Sequence, residues 1–180
     1  MGVRIPSWVS SHTNLVYFRL IENRRLQHLP PLNQLHFLKS VYLLGMEALE
    51  YISNEDSVSN VLGASSSSSS SSSSKTPFFP SLSSLELKWC PKLKGWWRNE
   101  PHHLLLPSLS ELVIDKCPNL TYMPAFPYLK ERLELSGCSW KVLEQTMKMK
   151  MGAATTSTYF TLSQLQKLQL DKISNFDSLP

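Results

Sequence analysis

Hydrophobic residues along the chain recur at steps of three, two, three, three and three residues. One copy of this spacing consists of Leu109, Leu112, Ile114, Cys117, Leu120 and Met123. The step of two is the alternation of a β-strand, which places Leu112 and Ile114 on one face and Val113 on the other. The flanking steps of three are too short for the strand to continue, so they predict turns. One such strand cannot cover its own apolar face, and the pattern therefore predicts further copies.

Five copies keep this spacing in full, and a sixth keeps it with one change. The copies begin at Leu15, Leu38, Leu82, Leu109, Leu129 and Leu165. The copy at Leu129 has a first step of four residues, which predicts one extra residue near Arg132, as a bulge or a local shift. We therefore predict an α/β leucine-rich-repeat solenoid of about six repeats. Its short parallel strands would line the concave face, and loops and short helical turns would form the convex face.

The uneven distances between copies predict the organisation of the chain. Residues 1–62 would hold the N-terminal repeats, residues 63–77 an insertion, and residues 78–180 the C-terminal repeats. The insertion contains the serine run 65–74, which cannot bury apolar area and is therefore predicted to be disordered. A second long spacing predicts a loose excursion over residues 140–159, in which residues 142–147 could form a short amphipathic turn.

The composition agrees with a folded chain, since 42% of the residues are hydrophobic and 18% are charged. No apolar stretch approaches the roughly 18 residues that a membrane-spanning helix needs, and Arg4 and Pro6 interrupt any secretory signal after Met1. The expected location is the cytoplasm, with exchange into the nucleus left open. The net charge of +4 is scattered, without the basic run or aromatic platform typical of nucleic-acid binding.

Residue types that often carry catalysis or bind metals do not form a site pattern. The five histidines share no motif with a nucleophile, and no GxxxxGK phosphate loop occurs. Cys90, Cys117 and Cys138 each follow the last apolar strand position by three residues, without the close pairs of a zinc site. Structural stacking of these thiols is the favoured interpretation. We therefore expect no catalytic, metal or cofactor site and no enzyme activity.

Side chains between the inward leucines are predicted to face outward. Strands stacked at roughly 4.8 Å would make a concave strip about 25 Å wide, and solenoids bind partners through such strips. The candidate partner-binding residues on it are Tyr17, Arg19, Ile21, Tyr42, Leu44, Glu86, Lys88, Glu111, Val113, Asp115, Arg132, Glu134, Lys167 and Gln169. For any one of them, an ordinary solvated side chain is the alternative. The aromatic and apolar residues at the N-terminal end favour partner binding there.

Three tryptophans form a second candidate patch. Trp96 occupies a repeat position and is predicted to lie in the core, whereas Trp89 and Trp97 are predicted to lie nearer the solvent, where tryptophan often contacts a partner. The alternative is that the bulky rings fill the wider space beneath a long turn. The sequence leaves the choice between core and interface open.

Longer motifs resemble a known family. Residues 29–52 read LPPLNQLHFLKSVYLLGMEALEYI, residues 79–93 read FPSLSSLELKWCPKL, and residues 106–120 read LPSLSELVIDKCPNL. Together with Pro6, Ser7 and Trp8, these blocks resemble the repeat region of plant disease-resistance proteins of the nucleotide-binding, leucine-rich-repeat type, in the coiled-coil subclass. The chain departs from the family pattern at Asn33, where glycine is usual, and at His36, where proline is frequent.

The resemblance implies the role of a receptor's C-terminal part. In the family this part senses a pathogen effector or a guarded host protein, and it restrains the nucleotide-binding module by contact. The coiled coil and the nucleotide-binding module of the family are absent from this sequence. The expected partners are proteins and the expected process is plant defence. The alternative is a leucine-rich-repeat adaptor in another intracellular pathway, such as substrate selection by a ubiquitin ligase, which would normally carry an F-box before the repeats.

Overall fold

The computed structural model describes residues 3–30, 32, 35–53, 76–77, 79–97, 104–147 and 162–174. The strands in these segments are β1 (Val3–Arg4), β2 (Tyr17–Ile21), β3 (Leu26–His28), β4 (Ser40–Leu44), β5 (Thr76–Pro77), β6 (Ser84–Lys88), β7 (Leu104–Leu105), β8 (Glu111–Asp115), β9 (Arg132–Ser136) and β10 (Lys167–Asp171). Short helical turns include the 3-10 helices Ser7–Ser11 and Trp140–Leu143 and the α-helix α1 (Glu144–Met147). This strand-rich structure with few helical turns agrees with the predicted α/β class.

Six of the described strands form one parallel sheet in the order β10-β9-β8-β6-β4-β2. Every neighbouring pair aligns five residues with five residues, without a gap. Two small parallel pairs, β1 with β3 and β5 with β7, lie outside this sheet. The sheet brings together strands that are far apart in sequence, because each turn of the chain returns to the edge left by the previous strand.

The core lies on one face of the six-stranded sheet, where the leucines of alternating strand positions point. In the four central strands these side chains are at most 2% exposed, and they are Val41, Leu43, Leu85, Leu87, Leu112, Ile114, Leu133 and Leu135. Leucines of the connecting turns pack against them in one continuous cluster. Burying each such side chain contributes about 1.5–3 kcal/mol, so the leucine spacing explains both the strands and their packing.

The extra residue predicted near Arg132 is absorbed immediately before β9. The amides of Glu131 and Arg132 both donate to the carbonyl of Ser110, at 3.0 and 3.2 Å, and the amides at the start of β4, β6 and β8 likewise share one carbonyl. The shift appears at the start of β10. There the amide of Gln166 donates to the carbonyl of Lys130 and the amide of Lys167 donates to the carbonyl of Glu131, instead of both sharing one carbonyl. Strand β9 itself pairs regularly with both neighbours. The irregularity is therefore a local shift ahead of the strand and not a bulge within it.

A residue with positive φ follows each strand of the six-stranded sheet. These residues are Glu22, Gly45, Trp89, Lys116, Gly137 and Lys172, with φ between 50° and 70°. The amides of the first five extend the ladder by one bond; the amide of Trp89, for example, donates to the carbonyl of Asp115 at 2.9 Å. The left-handed conformation turns the chain toward the core while it keeps that bond. Four of the six positions hold residues with a Cβ, for which this conformation is strained.

Because φ is positive at these positions, replacing a glycine there should destabilise the fold, whereas introducing a glycine should stabilise it. We expect Gly137→Ala to lower the free energy of unfolding by about 1–2 kcal/mol, because an alanine is strained there even though its Cβ would meet no atom closer than 3.5 Å. Glu22→Gly, at the equivalent position after β2, should instead raise stability by up to about 1 kcal/mol, reduced by the entropy that glycine loses on folding. Urea denaturation of both variants checks the pair. A loss of stability in both would contradict the assignment.

The inward leucines at the β10 end of the sheet are more exposed than those at its centre. Leu168 and Leu170 of β10 occupy the inward positions that the spacing predicts, yet they are 59% and 40% exposed. Their register partners Leu133 and Leu135 on β9 are completely buried. The difference arises because β10 is the outermost strand, so its leucines have a neighbouring strand on one side only. The exposure of these two leucines is therefore specific to the edge strand of the described sheet.

Parts of the two predicted irregular segments lie outside the described residues. These are the serine run 65–74 and residues 148–159 of the predicted excursion. Residues 140–147 form the 3-10 helix and α1, and their Val142 and Leu143 are buried. The hydroxyl of Thr146 accepts a hydrogen bond from the amide of Phe126 at 3.1 Å, which ties this helical segment to the core. In the described ranges, no helix is long and apolar enough to cross a membrane.

Candidate functional site

The face of the six-stranded sheet opposite the leucine core, here termed the open face, carries three columns of outward side chains. The central column is Arg19, Tyr42, Glu86, Val113, Glu134 and Gln169; one flank is Tyr17, Ser40, Ser84, Glu111, Arg132 and Lys167; the other is Ile21, Leu44, Lys88, Asp115, Ser136 and Asp171. The structure thus brings all the candidate residues into one surface, in the order the spacing predicts. Their contact with a partner stays a prediction.

At the β2 end of the open face, an aromatic ring lies between two cations. The guanidinium carbon of Arg19 lies 4.9 Å from the ring centre of Tyr42, and Nζ of Lys88 lies 5.4 Å from it. Lys88 also donates to Oε2 of Glu86 at 2.6 Å. Cation–π attraction at such distances contributes about 0.5–1 kcal/mol at an exposed site. The ring is therefore held in a defined position, and its edge remains accessible because Tyr42 is only half-buried.

Apolar side chains surround this cation-flanked ring. Tyr17 and Ile21, two residues before and after Arg19 on the same strand, are 51% and 41% exposed, and Leu44 beside Ile21 is half-buried. Exposed apolar side chains scattered singly are ordinary, but neighbouring ones form a patch that favours partner contact. The β2 end thus combines an apolar surface with positive charge.

The centre of the open face is a shallow depression of about 220 Å³ with an apolar floor. Val113 points outward, as the alternation predicts, but it is only 4% exposed. Longer side chains rise around it, including Lys88, Glu134 and Gln169. A valine between long neighbours leaves a pit that one apolar side chain of a partner could fill. Burial of Val113 on the outward face was not predicted, because it depends on the neighbours' length and not on its own strand.

At the β10 end, two cations share one carboxylate. Glu134 accepts from Nη2 of Arg132 at 2.5 Å, and its other oxygen pairs with Nζ of Lys167 at 2.5 Å. The hydrogen bond from Arg132 and the contact with Lys167 lower the pKa of Glu134 to about 2, against the opposing effect of burial. The same contact raises the pKa of Arg132. This three-residue cluster spans β9 and β10 and therefore fixes the side chains at that end.

The lowered pKa of Glu134 links stability to pH. A carboxyl with a lowered folded-state pKa stabilises the fold above its ordinary value of 4.5, and the contribution is lost as the pH falls toward about 2. We expect Glu134→Gln to lower the free energy of unfolding by about 1–2 kcal/mol at pH 7, a value reduced for the partial exposure of its partners. The difference from the wild type should shrink between pH 4.5 and 2 in urea titrations. Glu111→Gln is the matched control, since among the described residues Glu111 accepts a long hydrogen bond from the Ser84 hydroxyl at 3.4 Å and forms no ion pair; an equal loss in both variants would count against the cluster.

The three tryptophans divide differently from the expectation. Trp96 is 1% exposed, which confirms its place in the core, but Trp97 is equally buried, so its predicted position near the solvent is wrong. Its ring packs at 6.1 Å from Trp96 and at 6.3 Å from Tyr122, within apolar space beneath the turn. Trp89 is 51% exposed, and Nζ of Lys116 lies 3.6 Å from the centre of its ring. The tryptophan patch is therefore mostly core.

The three cysteines are buried and free, one in each of three successive turns. Burial raises the pKa of Cys138 to about 11, and contact with Cys90 together with burial raises that of Cys117. The thiol of Cys117 donates to the carbonyls of Leu87 and Asp115, which is a structural role. Within the part of the chain that is described, no group of three or more potential ligands is placed to hold a metal ion.

A groove beside the sheet was not predicted from the sequence. It has a volume of about 520 Å³ and lies along the turns that follow β4, β6 and β8. Lys94 pairs with Glu50 across it at 2.8 Å. The side-chain amide of Asn119 and the hydroxyl of Thr121 donate hydrogen bonds to backbone carbonyls of the preceding turn. Its polar groups are thus largely engaged within the protein, which makes the open face the stronger candidate site.

Both matches to known proteins are to plant disease-resistance proteins. Residues 9–135 match the family described as plant disease resistance protein RPS2-like, leucine-rich repeats. The chain is 29% identical over 197 residues to putative disease resistance RPP13-like protein 1 of Arabidopsis thaliana, and the alignment covers 99% of this chain. It covers 18% of that relative, so the chain spans less than a fifth of the relative's length. No solved structure matches the chain.

Proposed function

Because the chain belongs to the leucine-rich repeats of plant disease-resistance proteins similar to RPS2, we propose that it is a non-catalytic protein-recognition module of such an immune receptor. The resemblance to the repeat region of these receptors is confirmed. In the proposal, the parallel sheet is the concave side of a solenoid of six repeats. The module senses a pathogen effector or a guarded host protein, and it restrains a nucleotide-binding module carried elsewhere in the receptor. The proposed location is the cytoplasm.

The observation that carries the proposal is the register of the open face. Eighteen outward side chains from six strands are aligned without a gap, so they present one continuous surface to a macromolecule. At one end this surface exposes Tyr17 and Ile21. Aromatic residues and arginine are enriched in interfaces, where a few of them contribute most of the binding energy. Tyr42 and Arg19 are therefore the proposed centre of partner binding.

The same surface suits the two contacts proposed for the receptor. An extended face built on paired strands holds its side chains in fixed positions, which lowers the entropy cost of binding. It carries charges of both signs, and complementary charge is a source of specificity in protein interfaces. A sensor and a restraining surface can therefore share the same strands, because a bound effector would displace a module that contacts the same columns.

Binding through the open face can be tested with a double substitution. We expect Arg19→Ser combined with Tyr42→Ser to reduce capture of proteins from plant-cell extract by at least tenfold, as loss of two central contact residues should. The measurement is quantitative mass spectrometry of the captured proteins, with far-ultraviolet circular dichroism as the check on folding. Both side chains point away from the core, so the spectrum should not change.

The matched control for this test is Tyr128→Ser combined with Lys130→Ser, which removes an exposed aromatic and an exposed cation from the turn before β9, outside the columns of the open face. Capture by this control should equal that of the wild type. Equal loss in both double variants, or loss of capture only together with loss of the folded spectrum, would contradict binding through the open face.

A further inference from the structure

We propose that the β2 end of the open face binds an acidic side chain of a partner polypeptide, and that this side chain is flanked by apolar residues. The binding group is Arg19 beside the Tyr42 ring, with Tyr17 and Ile21 on either side. The inference deepens the proposed function, on which it rests, by assigning the chemistry of the contacted segment.

Charge balance distinguishes Arg19 from the other cations of the open face. Lys88 pairs with Glu86 at 2.6 Å, and both Arg132 and Lys167 pair with Glu134 at 2.5 Å. In the described segments, no carboxylate pairs with Arg19, and its guanidinium carbon lies 4.9 Å from the centre of the Tyr42 ring. Its five guanidinium donors are therefore available to a carboxylate from outside, which arginine binds with two parallel hydrogen bonds.

The Tyr42 ring prepares the arginine for this role. A guanidinium held near an aromatic ring has lost part of its rotational freedom before the partner arrives, which reduces the entropy cost of binding. Lys88, on the strand beyond Tyr42 and 5.4 Å from the centre of the same ring, adds positive potential although it is shared with Glu86. The ring and both cations thus define one fixed position for an anionic group.

Apolar neighbours determine what must flank the acidic side chain. Tyr17 and Ile21 lie two positions from Arg19 along β2, at about 7 Å on either side, and both are substantially exposed. A partner segment that places a carboxylate on Arg19 therefore brings its adjacent side chains over these two. Covering apolar area contributes about 25 cal/mol per Å², so apolar residues are favoured at those places.

A single carboxylate fits this end better than a phosphate or a polyanion. The carboxylate of Glu86 lies on the next strand but one from Arg19, in the same column, and Glu22 directly follows β2. Both would repel a doubly charged group more strongly than a singly charged one. The formal charges of Arg19, Lys88, Glu86 and Glu22 sum to zero, so this end has no excess positive charge for a doubly charged group, and the unpaired Arg19 matches one aspartate or glutamate.

The test uses the whole chain, immobilised and exposed to a phage-displayed library of random twelve-residue peptides. Peptides enriched by the wild type should contain aspartate or glutamate next to aromatic or aliphatic residues more often than the input library does. Arg19→Ser should abolish that excess. Arg24→Ser is the matched control, because it removes a guanidinium that already pairs with Glu47 at 3.4 Å and lies outside the columns of the open face, and it should keep the excess.

One enriched peptide then gives a quantitative check by fluorescence polarisation. Replacing its acidic residue by the matching amide should weaken binding to the wild type about tenfold and to Arg19→Ser less than twofold, since the lost contact is the one with Arg19. Enriched peptides without acidic–apolar pairs, or equal effects on both proteins, would overturn this inference while the proposed function stands. Absence of any enrichment over the bare support would overturn both.

Discussion

Leu112→Asp is expected to unfold the chain under conditions in which the wild type is folded. Leu112 is fully buried on β8, in the middle of the six-stranded sheet. The substitution forfeits the burial of a leucine and places a carboxylate in an apolar environment without a partner. Losses above 4–5 kcal/mol are exceptional and arise from such buried charges, and a loss of about that size removes most of the stability of a typical domain.

The measurement is circular dichroism with urea denaturation, and the chain supplies its own control. Leu168→Asp introduces the same carboxylate at the equivalent position of β10, two strands away. Leu168 is 59% exposed, so the charge remains hydrated and the loss should be below about 1 kcal/mol. A similar loss at both positions would contradict the burial gradient from the centre of the sheet to β10.

Trp96→Ala is the second change with a large expected effect. Trp96 is 1% exposed and packs against Phe79 at 5.7 Å and Trp97 at 6.1 Å between ring centres. Truncating a buried aromatic side chain costs about 3–5 kcal/mol, because the transfer free energy is lost and a cavity remains. Urea denaturation should therefore show a much lower midpoint for this variant.

Trp89→Ala is the matched control, since Trp89 lies in the same turn but is half-exposed beside Lys116. It gives up a cation–π contact of about 0.5–1 kcal/mol and should lower stability by no more than that amount. If Trp89→Ala were the more damaging of the two, the assignment of Trp96 to the core and of Trp89 to the surface would be wrong.

Much of the architecture could be predicted from spacing alone. The step of two in each copy identifies the inward leucines. Because the copies share one spacing, equivalent positions of neighbouring parallel strands pair, and the register therefore follows from the sequence. Even the extra residue before Arg132 was visible as a step of four. The spacing of hydrophobic residues shows which side chains share a face. For paired strands of equal length, that information determines most of the fold.

Features that depend on neighbours in space could not be predicted in this way. The positive φ of Glu22, Trp89 and Lys116 accompanies a ladder bond to the next strand, whereas their side chains give no signal of it. Burial of Trp97 depends on the space beneath one turn, and the exposure of Leu168 depends on the position of β10 in the sheet. Each is a property of the assembled structure.

The candidate site shows the same division. The outward columns were predictable as a set of residues, but the distribution of charge within them was not. Arg132, Glu134 and Lys167 form a closed cluster, while Arg19 is left with an aromatic ring. Which cation meets which carboxylate depends on side-chain conformations across two strands, and a list of columns contains no such information.

Strands joined by connections of very different length still pair in the same register, and this affects how the gene can change in evolution. Residues 45–83 connect β4 to β6, and the much shorter stretch 116–131 connects β8 to β9, yet both pairs align five residues in the same register. Closing the longer path costs less than about 1 kcal/mol more than closing the shorter one, since loop entropy grows only with the logarithm of length. Insertions and deletions between strands can therefore accumulate over generations while the surface offered to other molecules keeps its geometry, so length polymorphism and changes in recognition can evolve separately.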